Sequence, residues 1–342
     1  MAARAFITGV SGTELGDAER AFIGSAQPWG FILFRRNVET PAQVSRLTGQ
    51  LRAAVGNAET PILIDQEGGR VQRFGPPHWP NYPPGAAFGR LYDIEPALGL
   101  RAAQLSARLI ADDLLQTGVT VDCLPLADVP VPGADAVIGN RAYGTNPGKV
   151  AAIARAVTDG LQQGGILPVL KHIPGHGRAT ADTHFRLPVV DTPQAELETT
   201  DFAAFRPLAD LAMAMTAHVV FSAIDPAHPA TTSATMIAQV IRGSIGFQGL
   251  LMSDDVSMNA LAGSISERTR AIFAAGCDIA LHCNGKLEEM RDVADQSPEL
   301  SGEGLRRARH ALDARKPPLP FDRTAARTEL DALMDRLGTA NA

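Results

Sequence analysis

The chain is poor in cysteine. Cys123, Cys277 and Cys283 are the three in 342 residues, and no C-x-x-C pair occurs. An odd, widely spaced set argues against a disulfide framework or a structural zinc site and fits a reducing compartment. Uninterrupted apolar runs long enough to span a bilayer are lacking too. Near the N-terminus, Gly9, Gly12 and acidic residues intervene before a signal-peptide core can form, so the expected location is cytoplasmic. There is no lysine- or arginine-rich block, and the formal net charge is -6. A mildly acidic surface has no electrostatic reason to seek nucleic acid or anionic lipid, so neither partner is expected.

Apolar residues are plentiful by contrast, at 45% against 20% charged, enough for a large core. They fall in short runs: Ala5–Thr8, Gly30–Phe34, Pro61–Asp65, Val119–Leu124, Ile166–Lys171, Ala212–Thr216, Leu250–Ser253 and Asp278–His282. Nearly every position in these runs is apolar, the pattern of parallel strands buried on both faces. Helical patterns lie between them. Thr40-Pro41 reads as a cap followed by a first-turn proline, with Val44, Leu47, Leu51 and Val55 at helical spacing. Thr192-Pro193 repeats that start, and Leu98–Thr117, Lys149–Gln163, Ser233–Ile241 and Ser266–Ala275 complete the set.

Eight strands alternating with helices predict an α/β fold, a (β/α)8 TIM-type barrel. A doubly wound sheet would carry a G-x-G-x-x-G turn after its first strand, and "GVSGTELG" lacks that spacing. One catalytic barrel is expected over residues 1–342, with a helical tail from about 317 packing on it through Leu330, Leu333, Met334 and Leu337. The proline-rich segment His78–Gly89 is expected as a rim loop.

Chemistry in a barrel sits at the C-terminal ends of the strands. Polar residues gather there: Asp65, Arg70 and Arg73 after the third strand, Arg141 in the loop after the fourth, Lys171 and His172 after the fifth. His218 follows the sixth strand, and Asp254 and Asp255 follow the seventh. Charges emerging together from apolar strands are costly unless paired or solvated in a cleft, so the rim is read as a polar-ligand site. Blander readings exist for each residue. Asp65 can cap a turn, Lys171 and His172 can pair with carboxylates, His218 can be structural, and Pro174–Gly177 reads as a rigid turn holding His176. The cysteines read most simply as small buried hydrophobes.

"KHIPGHGRATADTH" runs from Lys171 to His184 and poses the chemical question. A metal-dependent barrel hydrolase would usually draw histidines from several strands, whereas these come from one loop. A pure binding module would need no reactive carboxylate. Glycoside hydrolysis needs a nucleophilic carboxylate and a proton donor. Asp254 can supply the first. Asp182-Thr183-His184 can supply the second, the aspartate orienting an imidazole that titrates near neutrality.

The long motifs sharpen this choice. "KHIPGHGRATADTH", "LIDQEGGRVQRF", "VIGNRAYG", "MTAHVVFSAIDPAHPA", "GFQGLLMSDDVSM" and "AAGCDIALHCN" resemble glycoside hydrolase family 3, in its order, and within it the bacterial β-N-acetylglucosaminidases of peptidoglycan recycling. The resemblance implies a retaining exo-enzyme in which Asp254 is the nucleophile and His184 with Asp182 the acid/base pair. It implies that Asp65, Arg73, Arg141, Lys171 and His172 hold the sugar, with Asp255 supporting. It also implies a substrate: N-acetylglucosaminyl-1,6-anhydro-N-acetylmuramic acid, with or without its peptide. The segment "VDCLPLADVPVPGADAVIGNRAYG" is less close to the family pattern than its neighbours are, with Asn140 where an acidic residue or serine is common. No feature calls for a metal, nucleotide or organic cofactor. Phosphorolysis and chitooligosaccharide hydrolysis remain open alternatives, because a histidine acid/base tolerates an anionic acceptor.

Overall fold

The computed structural model describes residues 3–179, 183 and 186–339. All eight expected strands form. They are Arg4–Thr8, Pro28–Leu33, Ile62–Ile64, Val121–Asp122, a fifth strand in two pieces at Leu167–Pro168 and Leu170–Ile173, then Met213–Thr216, Leu250–Asp255 and Ile279–His282. The first strand pairs in parallel with both the second and the eighth. The remaining neighbours continue around in chain order. The two ends of this order are the two halves of the fifth strand, one on the fourth and one on the sixth. The sheet therefore closes into the expected barrel.

The fifth strand breaks for a visible reason. Pro168 has no N–H to give to the ladder. The next donor, Val169 N–H, is shared between the carbonyls of Asp122 (3.0 Å) and Leu124 (2.8 Å). The strand then resumes as Leu170–Ile173, carrying Lys171 and His172 to the rim.

Alternation along the strands sorts side chains into two cores. Ile7, Ile32, Leu63, Val121, Leu167, Met213, Met252 and Ile279 fill the barrel interior, and Ala308 and Ala311 of a later helix, Gly302–Asp313, join them at its N-terminal end. Phe6, Phe31, Ile62, Ile64 and Leu251 point outward against the helices. Each such side chain taken fully out of water contributes roughly 1.5–3 kcal/mol. The outer ring is well capped. After the first helix, α1 (Asp17–Ala26), Thr40 accepts from Gln43 N–H ahead of α2 (Pro41–Val55), as expected, with Pro41 in the first turn. Ser264 and Glu267 make a reciprocal capping box at the helix Ile265–Ala275. Thr192 does not cap. Its hydroxyl accepts from Arg178, and the short helix that follows starts at Gln194 without a side-chain cap. The region expected as a helix over Ser233–Ile241 is wound as a π-helix, Met236–Ser244.

The proline-rich segment differs from a simple rim loop. Its second half is helical, the start of α3 (Gly85–Ile94). Its first half is packed down: Trp79 stacks on Phe74 with centroids 4.3 Å apart, and Tyr82 donates to Asp113 Oδ2 at 2.6 Å. Two glycines let α3 press on the loop after the fourth strand. A Cβ at Gly85 would stand 2.1 Å from the Arg141 carbonyl, and one at Gly89 2.0 Å from that of Tyr143. The C-terminal helix Arg323–Thr339 lies on α3 and the next helix, Pro96–Leu115, with Leu330 buried. No helix among the described residues is long and apolar enough to cross a membrane.

Candidate active site

A cavity of about 270 Å³ opens at the C-terminal ends of the strands. Its lining brings together Asp65, Arg73, Arg141, Lys171, His172 and Asp254, six of the eight residues to which the family resemblance gave a catalytic or sugar-holding role. The other two, Asp182 and His184, lie outside the described residues. Thr183, between them, is described. It lines the cavity, and its carbonyl accepts from Ala260 N–H at 3.1 Å.

One wall is a row of alternating charges. Lys171 is almost wholly buried, and its ammonium donates to Asp65 Oδ1 at 2.8 Å and pairs with Glu67 Oε1 at 2.7 Å. Arg73 donates to the other Asp65 oxygen at 2.9 Å. Arg141 grips Glu67 with two parallel bonds, Nε to Oε2 at 2.8 Å and Nη2 to Oε1 at 2.7 Å. Burial works against the charges of Asp65, Glu67, Lys171 and Arg141, and their partners outweigh it. Lys171 and Arg73 hold the Asp65 carboxyl far below the usual carboxylate range despite burial. Lys171 and Arg141 likewise overcome burial and bring Glu67 down to about 2. Asp65 and Glu67 in turn keep Lys171 charged, raising it above an ordinary lysine against the pull of burial.

The histidines are fixed by a carboxylate absent from the sequence reading. Asp128 is fully buried and accepts from His172 Nδ1 at 2.7 Å and from the His176 backbone N–H at 2.7 Å. Burial would raise its pKa, but His172 and His176 bring it down to about 2. A carboxylate only accepts, so Nδ1 of His172 carries the proton and Nε2 is the ring nitrogen left for a ligand. His176 is more than a turn residue. Its ring is buried, lines the cavity and has Nδ1 without a partner among the described residues. Burial and the neighbouring His172 lower it to about 4, so the ring is neutral at physiological pH.

Asp254 is the penultimate residue of the seventh strand, 7% exposed. Its Oδ1 accepts from Asp255 N–H at 2.8 Å. Burial disfavours its charge, but His218, His172, that N–H and Lys171 prevail and lower its pKa, so it is a carboxylate at neutral pH. His218 is fully buried beneath it, with Nδ1 2.8 Å from Thr231 Oγ1 and Nε2 donating to the Asp255 carbonyl at 3.0 Å. The Asp255 side chain accepts from Ser257 Oγ (2.6 Å) and Cys283 N–H (3.1 Å), tying the seventh strand to the end of the eighth. All three cysteines are buried and free, as expected. Among the described residues, no group of three or more His, Cys, Asp or Glu is placed to hold a metal ion.

Glu67 and Asp128 escaped the sequence reading. Glu67 had a signal: it stands two residues after Asp65 at a strand end, the spacing that keeps both on one face. Asp128 had none, because its partners lie more than forty positions away in sequence.

An α/β barrel whose rim cavity holds a buried carboxylate beside a polar, charge-paired wall fits the barrel glycosidases. Residues 9–307 match the glycosyl hydrolase family 3 N terminal domain, and the chain belongs to that family. It is 39% identical over 282 residues to a β-hexosaminidase of Alkalilimnicola ehrlichii, an alignment covering 81% of this chain and 79% of that one. The fold superposes on native NagZ from Neisseria gonorrhoeae with a TM-score of 0.86 at 31% identity, over 98% of both chains. NagZ from the same organism in complex with N-trifluoroacetyl-D-glucosamine gives 0.83 at 30%, over 100% of this chain and 99% of that one. The activity is that of a β-N-acetylhexosaminidase.

Proposed function

We propose that the chain is a retaining exo-β-N-acetylglucosaminidase that removes terminal β-linked N-acetylglucosamine from N-acetylglucosaminyl-1,6-anhydro-N-acetylmuramic acid, with or without its peptide, in peptidoglycan recycling. The observation that carries this reading is Asp254: a buried, ionised carboxylate facing a cavity whose other wall is Asp65, Arg73, Arg141, Lys171 and His172. A cavity of about 270 Å³ suits one terminal sugar rather than an extended chain. The glucosamine derivative bound by the gonococcal relative is of that size and chemistry.

Asp254 attacks the anomeric carbon, the bond to the aglycone oxygen breaks, and His184, oriented by Asp182, gives that oxygen its proton. A covalent glycosyl-enzyme forms. The same histidine then takes a proton from water, which displaces Asp254 and releases the sugar with its β configuration. Asp65, Lys171, Arg73, Arg141 and His172 hold the hydroxyls throughout, and their pairing with one another, with Glu67 and with Asp128 keeps them in place before substrate arrives.

The test compares turnover of the anhydro-disaccharide with that of chitobiose, in phosphate and in phosphate-free buffer, following the released sugar by NMR. Faster cleavage of the anhydro-disaccharide with β-N-acetylglucosamine as first product is expected. A first-formed α anomer, a sugar 1-phosphate, or a preference for chitobiose would overturn the corresponding part of the reading.

A further inference from the structure

Five charges in the cavity wall alternate without a gap: Arg73, Asp65, Lys171, Glu67, Arg141. Four of them line the cavity and Glu67 does not. Its side chain is 4% exposed, yet it holds the two donors that come from different parts of the barrel. Lys171 stands on the fifth strand and Arg141 on the short turn Gly139–Arg141 after the fourth. Glu67 lies on the hairpin after the third strand, whose first arm is Gln66–Gly68. Among the described residues, Arg141 has one further side-chain anchor, the Val137 carbonyl at 3.1 Å, just before its own turn. Among the described residues, the Glu67 fork is what ties its side chain to the barrel strand that carries Lys171.

We infer that Glu67 is a positioning residue for the glycosidase reaction: it fixes the spacing of the Lys171 ammonium and the Arg141 guanidinium so that both meet the hydroxyls of the terminal sugar, without touching the sugar itself. The inference rests on reading this cavity as the terminal-sugar site. A planar carboxylate suits the task, since it accepts two parallel bonds from one guanidinium and still offers a lone pair to an ammonium. It also separates two cations that would otherwise repel across the site.

Two variants test it. Glu67→Gln keeps the volume and removes the charge and one acceptor; Glu67→Asp keeps the charge and shortens the reach. Kinetics are run on p-nitrophenyl β-N-acetylglucosaminide and on its 3-, 4- and 6-deoxy analogues, with thermal melts on each protein. A misplacement on the order of 1 Å can cost about 10²-fold, so kcat/KM of E67Q is expected to fall about 10- to 100-fold on the parent substrate, with E67D intermediate. The decisive reading is discrimination. Wild-type enzyme should cleave at least one deoxy analogue far less well than the parent, and in E67Q that penalty should shrink about tenfold, because the donor is no longer aimed. A merely structural glutamate would lower stability and leave the ratio alone. Unchanged ratios in whichever variant folds overturn the role of Glu67 while leaving the sugar site intact. Absence of any discrimination in the wild type overturns the sugar-site reading and this inference with it.

Discussion

Replacing Lys171 with methionine is the most searching single perturbation of the cavity wall. The side chains are similar in length, so the change removes charge and little volume. Lys171 is 2% exposed and sits 2.8 Å from Asp65 and 2.7 Å from Glu67. Breaking a buried ion pair usually costs about 3–5 kcal/mol, because it strands an uncompensated charge. Here each carboxylate keeps a guanidinium, Arg73 for Asp65 and Arg141 for Glu67. The stability cost should therefore fall at or below the lower end of that range, about 2–3 kcal/mol. The catalytic cost is separate. Loss of one charge-assisted hydrogen bond to a sugar hydroxyl is worth about 1.5–3 kcal/mol, or about 10- to 150-fold in kcat/KM. Urea melts and steady-state kinetics on an aryl glycoside read the two effects independently. A stable variant with unaltered kcat/KM would refute the reasoning, since it would mean that the lysine neither holds the wall together nor meets the substrate.

Further outcomes follow from other parts of the molecule. Asp122 is fully buried with Oδ2 unpartnered among the described residues, and burial raises its pKa well above the usual value although Gln66 N–H and Lys171 oppose this. The folded protein holds a proton there that the unfolded chain releases above about pH 4, so this group makes stability fall as pH rises past that value. Asp122→Asn should therefore gain stability relative to wild type at pH 7 compared with pH 4 in paired melts; an equal difference at both would rule out the neutral acid. The depressed carboxylates, Glu67 and Asp128 at about 2, act in the opposite sense, their contribution present above about pH 4 and lost as pH falls toward 2. Gly89→Ala should destabilise the protein and lower kcat/KM together, because its Cβ would strike the Tyr143 carbonyl two residues from Arg141; Gly49→Ala, in the exposed face of α2 with open space around it, should instead stabilise by about 0.5–1 kcal/mol. His184→Ala should slow a substrate with a poor leaving group by about 10²–10⁴-fold and an activated aryl glycoside much less; equal losses on both would contradict its acid role.

Most of the barrel was legible because its strands are short and apolar on both faces, and because polar residues appear just where each strand ends. Thr40-Pro41 was read correctly, since a cap is a local matter. Thr192-Pro193 was not: Arg178 takes the Thr192 hydroxyl, a tertiary contact no local pattern contains. The break in the fifth strand was written in Pro168, whose missing N–H divides the run. The proline-rich segment differs from a simple loop because its anchors lie outside it: Phe74 for Trp79, and for Tyr82 the Asp113 carboxylate on the helix Pro96–Leu115, 31 positions away. In the site, single residues were legible and their pairing was not. Lys171 lies 104 positions from Glu67 in sequence, counting from 67 to 171, and only barrel closure brings them to 2.7 Å.

The central claim is that Asp254 forms a covalent bond to the sugar. The direct measurement is mass spectrometry of the protein after reaction with a 5-fluoro N-acetylglucosaminyl fluoride, followed by peptide mapping. The account predicts one sugar added per chain, on Asp254, and none in Asp254→Asn. A label on another carboxylate, or complete inactivation with no covalent adduct, would contradict it.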